Sequence, residues 1–488
     1  MKLPASVLKI FFLAAVCSYF MDCTSDNPFG YALGLAVSAL LLVSCVTLPL
    51  ERKIFPILLI LIVAPDIVQA TGDIEMVGVL GSASLWCLSI AGIGASWMIL
   101  SLLLITGHLM RVKVVPEKLD TAFIVYFFSV PIVASLAYGF LAPENIRRAI
   151  TDIKLPVMFL AGMYYFTKYF RCFPKHFVGV VRFALICTCS RVFVDAFYLM
   201  FQIARTTIGG VNRVSVDSGK VIIALAIGWL VSRILSRKQM LLCLICLAIC
   251  LTLLISYQTR FVILTTILGL GIYVMLERTS KFAIGIAVAC LLFGLFSLTQ
   301  FKVLENALDI AGKRFGVSTF MNQGFDLETL DPTRFAAISN ALHKQWDSFA
   351  LLTGMGFGSW YDETSVAMPL NLGGSAYSSD SLASGQYYRI HDMVFHMLFK
   401  YGIIGLFLYT WFYIGVTLKL LNRRAVWSRS AFYNETVMVL LFFLPTAAFC
   451  LYWTAKVLLM NALYIVVLRE TLRHLESQQL RVCFHHVR

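Results

Sequence analysis

The sequence predicts an all-α protein, a polytopic transmembrane helix bundle of about 12–14 spans with one large external loop that contains short helices. Hydrophobic residues make up 59% of the 488 positions and charged residues only 14%, whereas soluble domains are about 45–50% apolar and about 25% charged. Apolar runs of about 20 residues, the length that crosses a bilayer core, recur along nearly the whole chain. Lys and Arg gather in alternate connections between these runs, which is typical of membrane proteins.

The apolar runs between charged or turn-rich breaks predict the spans in chain order. They are 5–22, 29–50, 54–70, 83–106, 120–141, 155–170, 176–203, 219–235, 240–257, 261–276, 282–299, 391–418, 436–453 and 456–469. The run 54–70 is short and contains Pro56, Pro65 and Asp66, and the last two runs also fit a single re-entrant hairpin. The first run lacks a small-x-small cleavage pattern, so we expect a retained helix rather than a signal peptide.

Positive charges predict the orientation of the bundle. With the N-terminus inside the cell, most of the 40 Lys and Arg residues fall in inside connections, as the positive-inside rule requires. Both termini are then cytoplasmic. The same rule accounts for most of the net charge of +14, because cationic loops lie beside anionic lipid. Nucleic acid is therefore not an expected partner.

One long polar stretch divides the chain. The predicted parts are an N-terminal transmembrane bundle (1–299), an external loop (300–390), C-terminal transmembrane helices (391–470) and a cytoplasmic tail (471–488). The loop is expected to be ordered, because DPTRFAAISNALHKQW begins with Asp331 as a helix N-cap and Pro332 at the first helical position. Amphipathic spacing predicts a packed face formed by Phe335, Ile338, Leu342 and Trp346.

Charged and titratable side chains also occur within the predicted spans. Arg191 and Asp195 are four residues apart, and an unpaired charge at mid-membrane costs at least about 2.5–3.5 kcal/mol. We therefore expect the two to pair within one helix. His391 and His396 are five apart, about 140° around a helix, so they are not expected to share a metal ion. His396 is predicted to be a packed helix residue.

Several cationic groups are predicted on the external face, against the positive-inside tendency. Arg213 lies in GGVNRVSVDSGK, Arg260 in YQTRF, and Arg334 in the first turn of the loop helix. Snorkelling or solvation explains each arginine taken singly. Together they favour an anion site, because a guanidinium beside a helix N-terminus suits phosphate. His391 is positioned to act as a base at the membrane surface, and the alternative is a helix-capping pair with Asp392.

The loop also contains the glycine-rich stretch GMGFGSW. It lacks the GK[ST] ending of a phosphate-binding loop, and it is not a G-x-S-x-G nucleophile elbow. Gly354, Gly356 and Gly358 are expected to allow a tight turn or a close backbone approach to a ligand. Arg389 lies further along the same loop.

Three stretches resemble the O-antigen ligase and O-antigen polymerase superfamily. TGMGFGSW followed by HDMVFHMLFKYGIIGLFLYTW resembles its C-terminal signature, a G-x-G loop, then a His at the mouth of a helix, then a glycine-rich apolar run. YQTRFVILTTILGLG resembles its short external Ser/Thr-Arg turn, and NRVSVDSGKVIIALAI its earlier external Arg loop. The resemblance covers about residues 205–420. The chain departs from the pattern at Asp392, where Asn or Ser is commoner, and in having QTR where SR is typical.

The resemblance implies a membrane glycosyltransferase that needs no metal or other cofactor. Such enzymes of the bacterial inner membrane transfer a sugar chain from undecaprenyl pyrophosphate to the hydroxyl of an acceptor sugar. The reaction occurs at the periplasmic face, so loop 300–390 would be periplasmic. The implied partners are the lipid-linked oligosaccharide, an acceptor glycan or lipid A-core, membrane lipids and a chain-length regulator.

The resemblance also implies roles for individual residues, which agree with the need for fixed positive charge at a pyrophosphate leaving group. The implied catalytic residues are His391 and Arg260. The implied pyrophosphate-binding residues are Arg213, Arg260 and Arg334. The implied substrate loop contains Gly354, Gly356 and Arg389.

Other functions remain open at this stage. A polymerase joins lipid-linked repeat units of O-antigen or exopolysaccharide, whereas a ligase transfers the chain to lipid A-core, and about fourteen spans is closer to the polymerases. A transporter or flippase for lipid-linked sugars would typically show internal repeats and mid-membrane polar sites. A membrane scaffold without a site would tolerate substitution of Arg260 and His391.

Overall fold

The computed structural model describes most of the chain as helices packed side by side. The described residues are 5–23, 27–65, 83–87, 89–90, 93–114, 118–143, 145–201, 206–208, 211–213, 217–235, 240–256, 265–272, 332–368, 379–388, 390, 393–428, 430–449 and 455–486. The predicted span 282–299 and loop residues 300–331 lie outside them.

The chain begins with helix α1 (Ala5–Asp22) and helix α2 (Pro28–Thr47). Asn27 caps α2 by accepting a hydrogen bond from the Gly30 N–H at 3.1 Å. Helix α3 (Ile54–Leu58) continues as a π-helical turn, Leu59–Val63. Together these two five-residue pieces are about 15 Å long, half a bilayer core. The helix ends at Ala64, which is extended because Pro65 disfavours helical backbone at the preceding residue.

The predicted span 83–106 is wrong in its first half. Residues Leu85–Cys87 form a 3₁₀ turn, followed by strands β1 (Ser89–Ile90) and β2 (Ile93–Gly94), which pair antiparallel. Helix α4 (Ala95–Leu109) starts only after Gly94. The sequence SIAGIGAS explains the late start, because glycine is a poor helix former. Composition alone had made this stretch resemble a span.

The middle of the chain forms long helices: α5 (Lys118–Ala137), α6 (Ile146–Cys172) and α7 (Phe177–Met200), the last preceded by a 3₁₀ turn, Pro174–His176. Helix α6 begins well before the predicted span 155–170. Its first turns carry Arg147, Arg148 and Asp152, polar residues that a search for apolar runs excludes although they are compatible with helix.

Strands β3 (Thr206–Ile208) and β4 (Val211–Arg213) pair antiparallel, with Thr206 opposite Arg213. Helices α8 (Asp217–Leu235) and α9 (Met240–Ser256) follow close to their predicted bounds. Residues 265–272 are helical and represent the described part of the predicted span 261–276.

The loop helix, α10 (Pro332–Asp347), is present as predicted; its predicted packed face is wrong at Trp346, while Ile338 does pack against a buried apolar cluster. Trp346 is 71% exposed. The buried residues are small or carry amides: Ala336, Ala337, Asn340, Ala341 and Gln345. The alanines pack in a small apolar cluster with large side chains such as Met355 and Phe399, and the amides pair with peptide groups.

The C-terminal part contains the short helix α11 (Ser379–Ser384) and helices α12 (Met393–Asn422), α13 (Arg424–Trp427), α14 (Ala431–Phe449) and α15 (Ala455–His486). Gly402 breaks α12 with φ 70° and ψ −177°. His396 is 7% exposed, which confirms its prediction as a packed residue.

Most of the described helices share one large apolar core, while α10 and the segment around Tyr361 and Tyr387 form a smaller apolar cluster of their own. Helix α15 lies along α6, α1 along α7, and α8 between α9 and α14. Gly162 of α6 lets α15 approach closely, since a Cβ there would lie 2.7 Å from Cβ of Ala462.

Four described segments are long and apolar enough to cross a membrane. They are Pro28–Thr47, Pro174–Tyr198, Met393–Asn422 and Ala431–Phe449. Large apolar side chains such as Leu13, Leu40 and Leu241 are mostly exposed, as expected where a bilayer covers the surface. The fold is therefore that of a helical membrane protein.

The expected ion pair within α7 is confirmed and belongs to a larger buried cluster. Arg191 donates to Asp195 Oδ1 at 2.8 Å, to Asp22 Oδ1 at 2.9 Å and to Ser18 Oγ at 2.9 Å. Asp22 and Ser18 belong to α1. The sequence indicated the partner four residues away on the same helix but carried no signal for the partner on α1.

Candidate functional site

The described part of the candidate site lies where residues 354–360, here called the glycine loop, dock on the N-terminal half of α12. The Met355 N–H donates to the Phe399 carbonyl at 2.8 Å, and the Gly356 N–H donates to the Lys400 carbonyl at 3.0 Å. The Ile403 N–H donates back to the Leu351 carbonyl at 3.0 Å. The break at Gly402 exposes these backbone groups, so the loop completes hydrogen bonds that a regular helix would satisfy internally.

Two glycines of the loop are required by this close approach. Gly354 and Gly356 have φ of +78° and +82°, a conformation that side chains disfavour. A Cβ on Gly354 would overlap the Lys400 carbonyl, and one on Gly356 would overlap the Pro131 carbonyl of α5. The backbone that each glycine approaches is therefore that of a neighbouring helix, and approach to a ligand stays a prediction.

A buried ion pair between α12 and α6 also holds the glycine loop. Lys400 is 1% exposed, and its Nζ donates to Asp152 Oδ2 and to the Ser359 carbonyl, both at 2.8 Å. The same Asp152 oxygen accepts a hydrogen bond from the Gly358 N–H at 2.8 Å. Hydrogen bonds to charged groups stabilise by about 1.5–3 kcal/mol each. One carboxylate of α6 thus fixes both the loop and α12.

Helix α10 is attached to the same body by two buried amide side chains. Gln345 Nε2 donates to the Leu398 carbonyl at 2.8 Å. Asn340 Nδ2 donates to the Val366 carbonyl at 2.7 Å, while its Oδ1 accepts from the Ser365 N–H at 2.8 Å. These contacts position the start of α10, and with it Arg334, relative to the glycine loop.

The segment that leads to His391 is held by aromatic side chains. Tyr361 and Tyr387 exchange two backbone hydrogen bonds of 2.9 Å, and their rings stack with centroids 5.6 Å apart. The Tyr387 hydroxyl donates to Glu363. The Arg148 guanidinium lies over the Tyr388 ring, 3.4 Å from its centroid. The chain is therefore anchored at Tyr387 and Tyr388, the two residues directly before Arg389.

A second cation lies beside the loop. Lys344 Nζ is 3.4 Å from the centroid of Trp360 and 3.4 Å from Asp362 Oδ2. Burial lowers the pKa of Lys344 from its usual value, and the nearby Asp362 carboxylate partly opposes that shift. The ammonium group is thus held by one aromatic face and one carboxylate.

The structure places only some of the predicted site residues. Gly354 and Gly356 lie in the glycine loop, and half-buried Arg334 lies in the first turn of α10. Arg213 ends β4, where its backbone is described. Three predicted site residues lie outside the described residues: Arg260, Arg389 and His391.

Sequence reasoning missed the residues that hold this body together. Lys400 had a signal, because a Lys inside a predicted span requires a buried partner. Its partner Asp152 had none, since it lies 248 positions away. Asn340 and Gln345 were not part of the predicted apolar face, because polar side chains do not contribute to apolar periodicity.

In its described part, the site is a hydrogen-bonded platform, and the segments attached to it carry the cationic side chains of Arg148, Arg334 and Lys344. Such an arrangement can bind an anionic substrate and orient it. Within the described ranges, no three His, Cys, Asp or Glu side chains are grouped as metal ligands. No family model, curated protein or solved structure matches this chain.

Proposed function

We propose that this chain is a multi-pass glycosyltransferase of the bacterial inner membrane, similar to the O-antigen ligases and polymerases. It transfers a sugar chain from undecaprenyl pyrophosphate to the hydroxyl of an acceptor sugar at the periplasmic face. Because about fourteen predicted spans is closer to the polymerases than to the ligases, we assign it as a polymerase of O-antigen or exopolysaccharide repeat units. Loop 300–390 is then periplasmic, and both termini are cytoplasmic.

The observation that carries this proposal is the docking of the glycine loop on α12, the helix that begins two residues after His391. The G-x-G stretch and the His helix form the resemblance in sequence, although a polar spacer separates them. Backbone hydrogen bonds from Met355 and Gly356 join the two in space. A catalytic role for the signature requires such an association, because its parts must act on one substrate.

The proposed chemistry needs positive charge and one base. The acceptor oxygen forms a bond to the anomeric carbon while the bond to the pyrophosphate oxygen breaks. The acceptor proton passes to His391. The negative charge that develops on the leaving pyrophosphate is stabilised by Arg213, Arg260 and Arg334.

The position of Arg334 supports its part in this scheme. It lies in the first turn of the 16-residue helix α10, where free N–H groups and the helix dipole favour an anion. Asn340 and Gln345 fix this helix to the body that contains the glycine loop. A phosphate bound there would be held by a helix that is fixed to the same body as the glycine loop.

An in vitro reaction with purified full-length protein tests the proposal. The donor is an undecaprenyl-pyrophosphate-linked repeat unit, supplied with or without lipid A-core, and products are sized on a gel. We expect His391→Gln and Arg260→Gln to lower product formation about a hundredfold or more without lowering the protein yield. Arg147→Gln, at an exposed position in the first turn of α6, is the control and keeps wild-type activity.

The product pattern separates the alternatives. A ladder formed from the donor alone indicates a polymerase, and product formed only with lipid A-core indicates a ligase. Movement of lipid-linked sugar across a vesicle membrane without elongation would identify a flippase and contradict the proposal. Full activity of both site variants would contradict it as well.

A further inference from the structure

A cavity of about 690 Å³ lies between α4, α5, α6, α12 and α15, within the range of small-molecule sites. We call it the helical cavity. Its inner wall is aromatic and contains Phe123, Phe159 and Phe412, which are 5% exposed or less. An apolar interior of this size suits a hydrocarbon chain better than a polar metabolite.

One end of the helical cavity is strongly cationic. Four basic and two acidic side chains line it: Arg171, Lys419, Arg469, Arg473, Glu470 and Glu476. The Arg469 guanidinium lies 4.9 Å from the centroid of Phe412, at the boundary between the charged end and the aromatic wall.

Both carboxylates at this end are already engaged by arginines. Glu470 lies 3.7 Å from Arg171 and 3.4 Å from Arg473. Glu476 lies 3.7 Å from Arg423, a further cation beside the cavity. The lining therefore carries an excess of two positive charges. This net positive charge favours an anionic ligand over a neutral one.

The cavity has a lip of exposed apolar side chains. Leu104 of α4 is 42% exposed and Ile124 of α5 is 38% exposed, and both line the cavity. Leu104 and Ile124 therefore face the bilayer, so a lipid can enter sideways with its chain against the aromatic wall. A water-soluble anion would not reach the cavity through an entrance that faces the bilayer.

We infer that the helical cavity binds an anionic glycerophospholipid, with its phosphate against Lys419 and Arg469 and an acyl chain along Phe123 and Phe159. Basic pockets between transmembrane helices on the cytoplasmic side bind anionic headgroups. The positive-inside rule assigns this end of the bundle to that side.

This lipid site is separate from the proposed glycosyltransferase site. Asp152, which holds the glycine loop, and Arg171, at the charged end of the cavity, both belong to α6. At 1.5 Å per residue they are about 28 Å apart, close to the thickness of a bilayer core. The lipid site does not depend on the proposed transfer reaction.

Native mass spectrometry tests the inference. The full-length protein is kept in detergent, one lipid is added at a time, and the fraction of lipid-bound protein is measured. The probes are dioleoyl phosphatidylglycerol, zwitterionic dioleoyl phosphatidylcholine and a polyprenyl phosphate. We expect phosphatidylglycerol to bind more tightly than phosphatidylcholine. Lys419→Gln should weaken phosphatidylglycerol binding about fivefold, and Lys419→Gln with Arg469→Gln about twenty-five-fold.

Matched variants keep the test decisive. Arg52→Gln removes one exposed charge at the same end of the bundle, outside the cavity, and should leave binding unchanged. Lys419 is itself exposed, so its variant keeps the fold even if the double variant does not. Equal affinity for the two glycerophospholipids, or equal loss in Arg52→Gln, would overturn the inference. Tighter binding of polyprenyl phosphate at Lys419 would overturn the assignment to a glycerophospholipid.

Discussion

At the scale of single residues, buried charges such as that of Lys400 join distant segments of this bundle. Its ammonium group bonds to a carboxylate from α6 and a carbonyl of the glycine loop, so three parts of the chain meet at one atom. Arg191 does the same for α1 and α7. A buried charge is costly unless it is paired, and each pair here joins segments distant in sequence.

We expect Lys400→Met to release the glycine loop. The change leaves Asp152 without its cation and removes two hydrogen bonds from Nζ. Breaking a buried pair costs about 3–5 kcal/mol. Because Asp152 is a fifth exposed, solvent reduces this to about 1–3 kcal/mol. Thermal unfolding in detergent and protease cleavage within residues 351–368 measure the effect.

Lys154→Met is the matched control for this variant. Lys154 also belongs to α6, and its Nζ lies 3.3 Å from Ser96 Oγ and 5.9 Å from the centroid of the Trp97 ring, away from the glycine loop. Its substitution should leave the cleavage pattern unchanged. Equal protease sensitivity of the two variants would show that Lys400 does not hold the loop.

At the scale of elements, the glycine loop and α12 form one unit. The loop needs a helix break with exposed peptide groups, and the break at Gly402 needs the loop to satisfy those groups. Separating them would leave buried peptide groups unpaired, at a cost of about 1–3 kcal/mol each.

Gly354→Ala should destabilise this unit more than Gly385→Ala. Both glycines have positive φ, +78° and +64°, so an alanine strains both backbones by about 1 kcal/mol. Only at Gly354 would the new Cβ also meet backbone, that of Lys400, whereas at Gly385 it meets nothing within 4 Å. The difference in melting temperature between the two variants isolates the packing effect, and equal values would refute it.

The contact between α15 and α7 predicts a dependence of stability on pH. His474 stacks on Phe177 with ring centroids 4.9 Å apart. Burial lowers the pKa of His474 below 6.5, with Glu470 opposing and Arg473 adding to the shift. The unfolded state therefore binds the proton first as the pH falls through about 6.5, and the folded state loses stability there.

His474→Gln should reduce the fall in melting temperature between about pH 7.5 and about pH 5.5. Glutamine does not titrate, so the part of the acid sensitivity that His474 contributes disappears. His108→Gln, at an exposed position of α4, is the control for the chemical change. An unchanged acid sensitivity of His474→Gln would rule out this role.

At the scale of the whole molecule, α6 connects two chemically different ends. One end carries Asp152 beside the glycine loop, and the other carries Arg171 in the charged part of the helical cavity. Their separation of about 28 Å agrees with the proposal that a substrate binds at one membrane face and a lipid at the other.

The orientation of this axis is directly testable. Arg147→Cys and Arg52→Cys introduce a thiol at an exposed position near each end. In intact cells a membrane-impermeant thiol reagent should label Arg147→Cys above the background of the native cysteines, but not Arg52→Cys. Labelling of Arg52→Cys alone would invert the topology and remove the glycosyltransferase proposal.

The sequence by itself determined the class of the protein and most of its helices. Composition and apolar runs are local properties, so they indicated a helical membrane protein, the bounds of α1 and α9, and the start of α10. The Arg191–Asp195 pair was also predictable, because its partners are one helical turn apart. The resemblance to a glycosyltransferase family likewise rests on local motifs.

Only the tertiary structure decided which distant residues meet. Asp152 is paired with Lys400, Asp22 with Arg191, and the buried face of α10 is formed by alanines and amides rather than by Trp346. The helical cavity requires five helices from separate parts of the chain. Periodicity reports which face of a segment is apolar, but a partner's backbone groups and charges decide which face is buried.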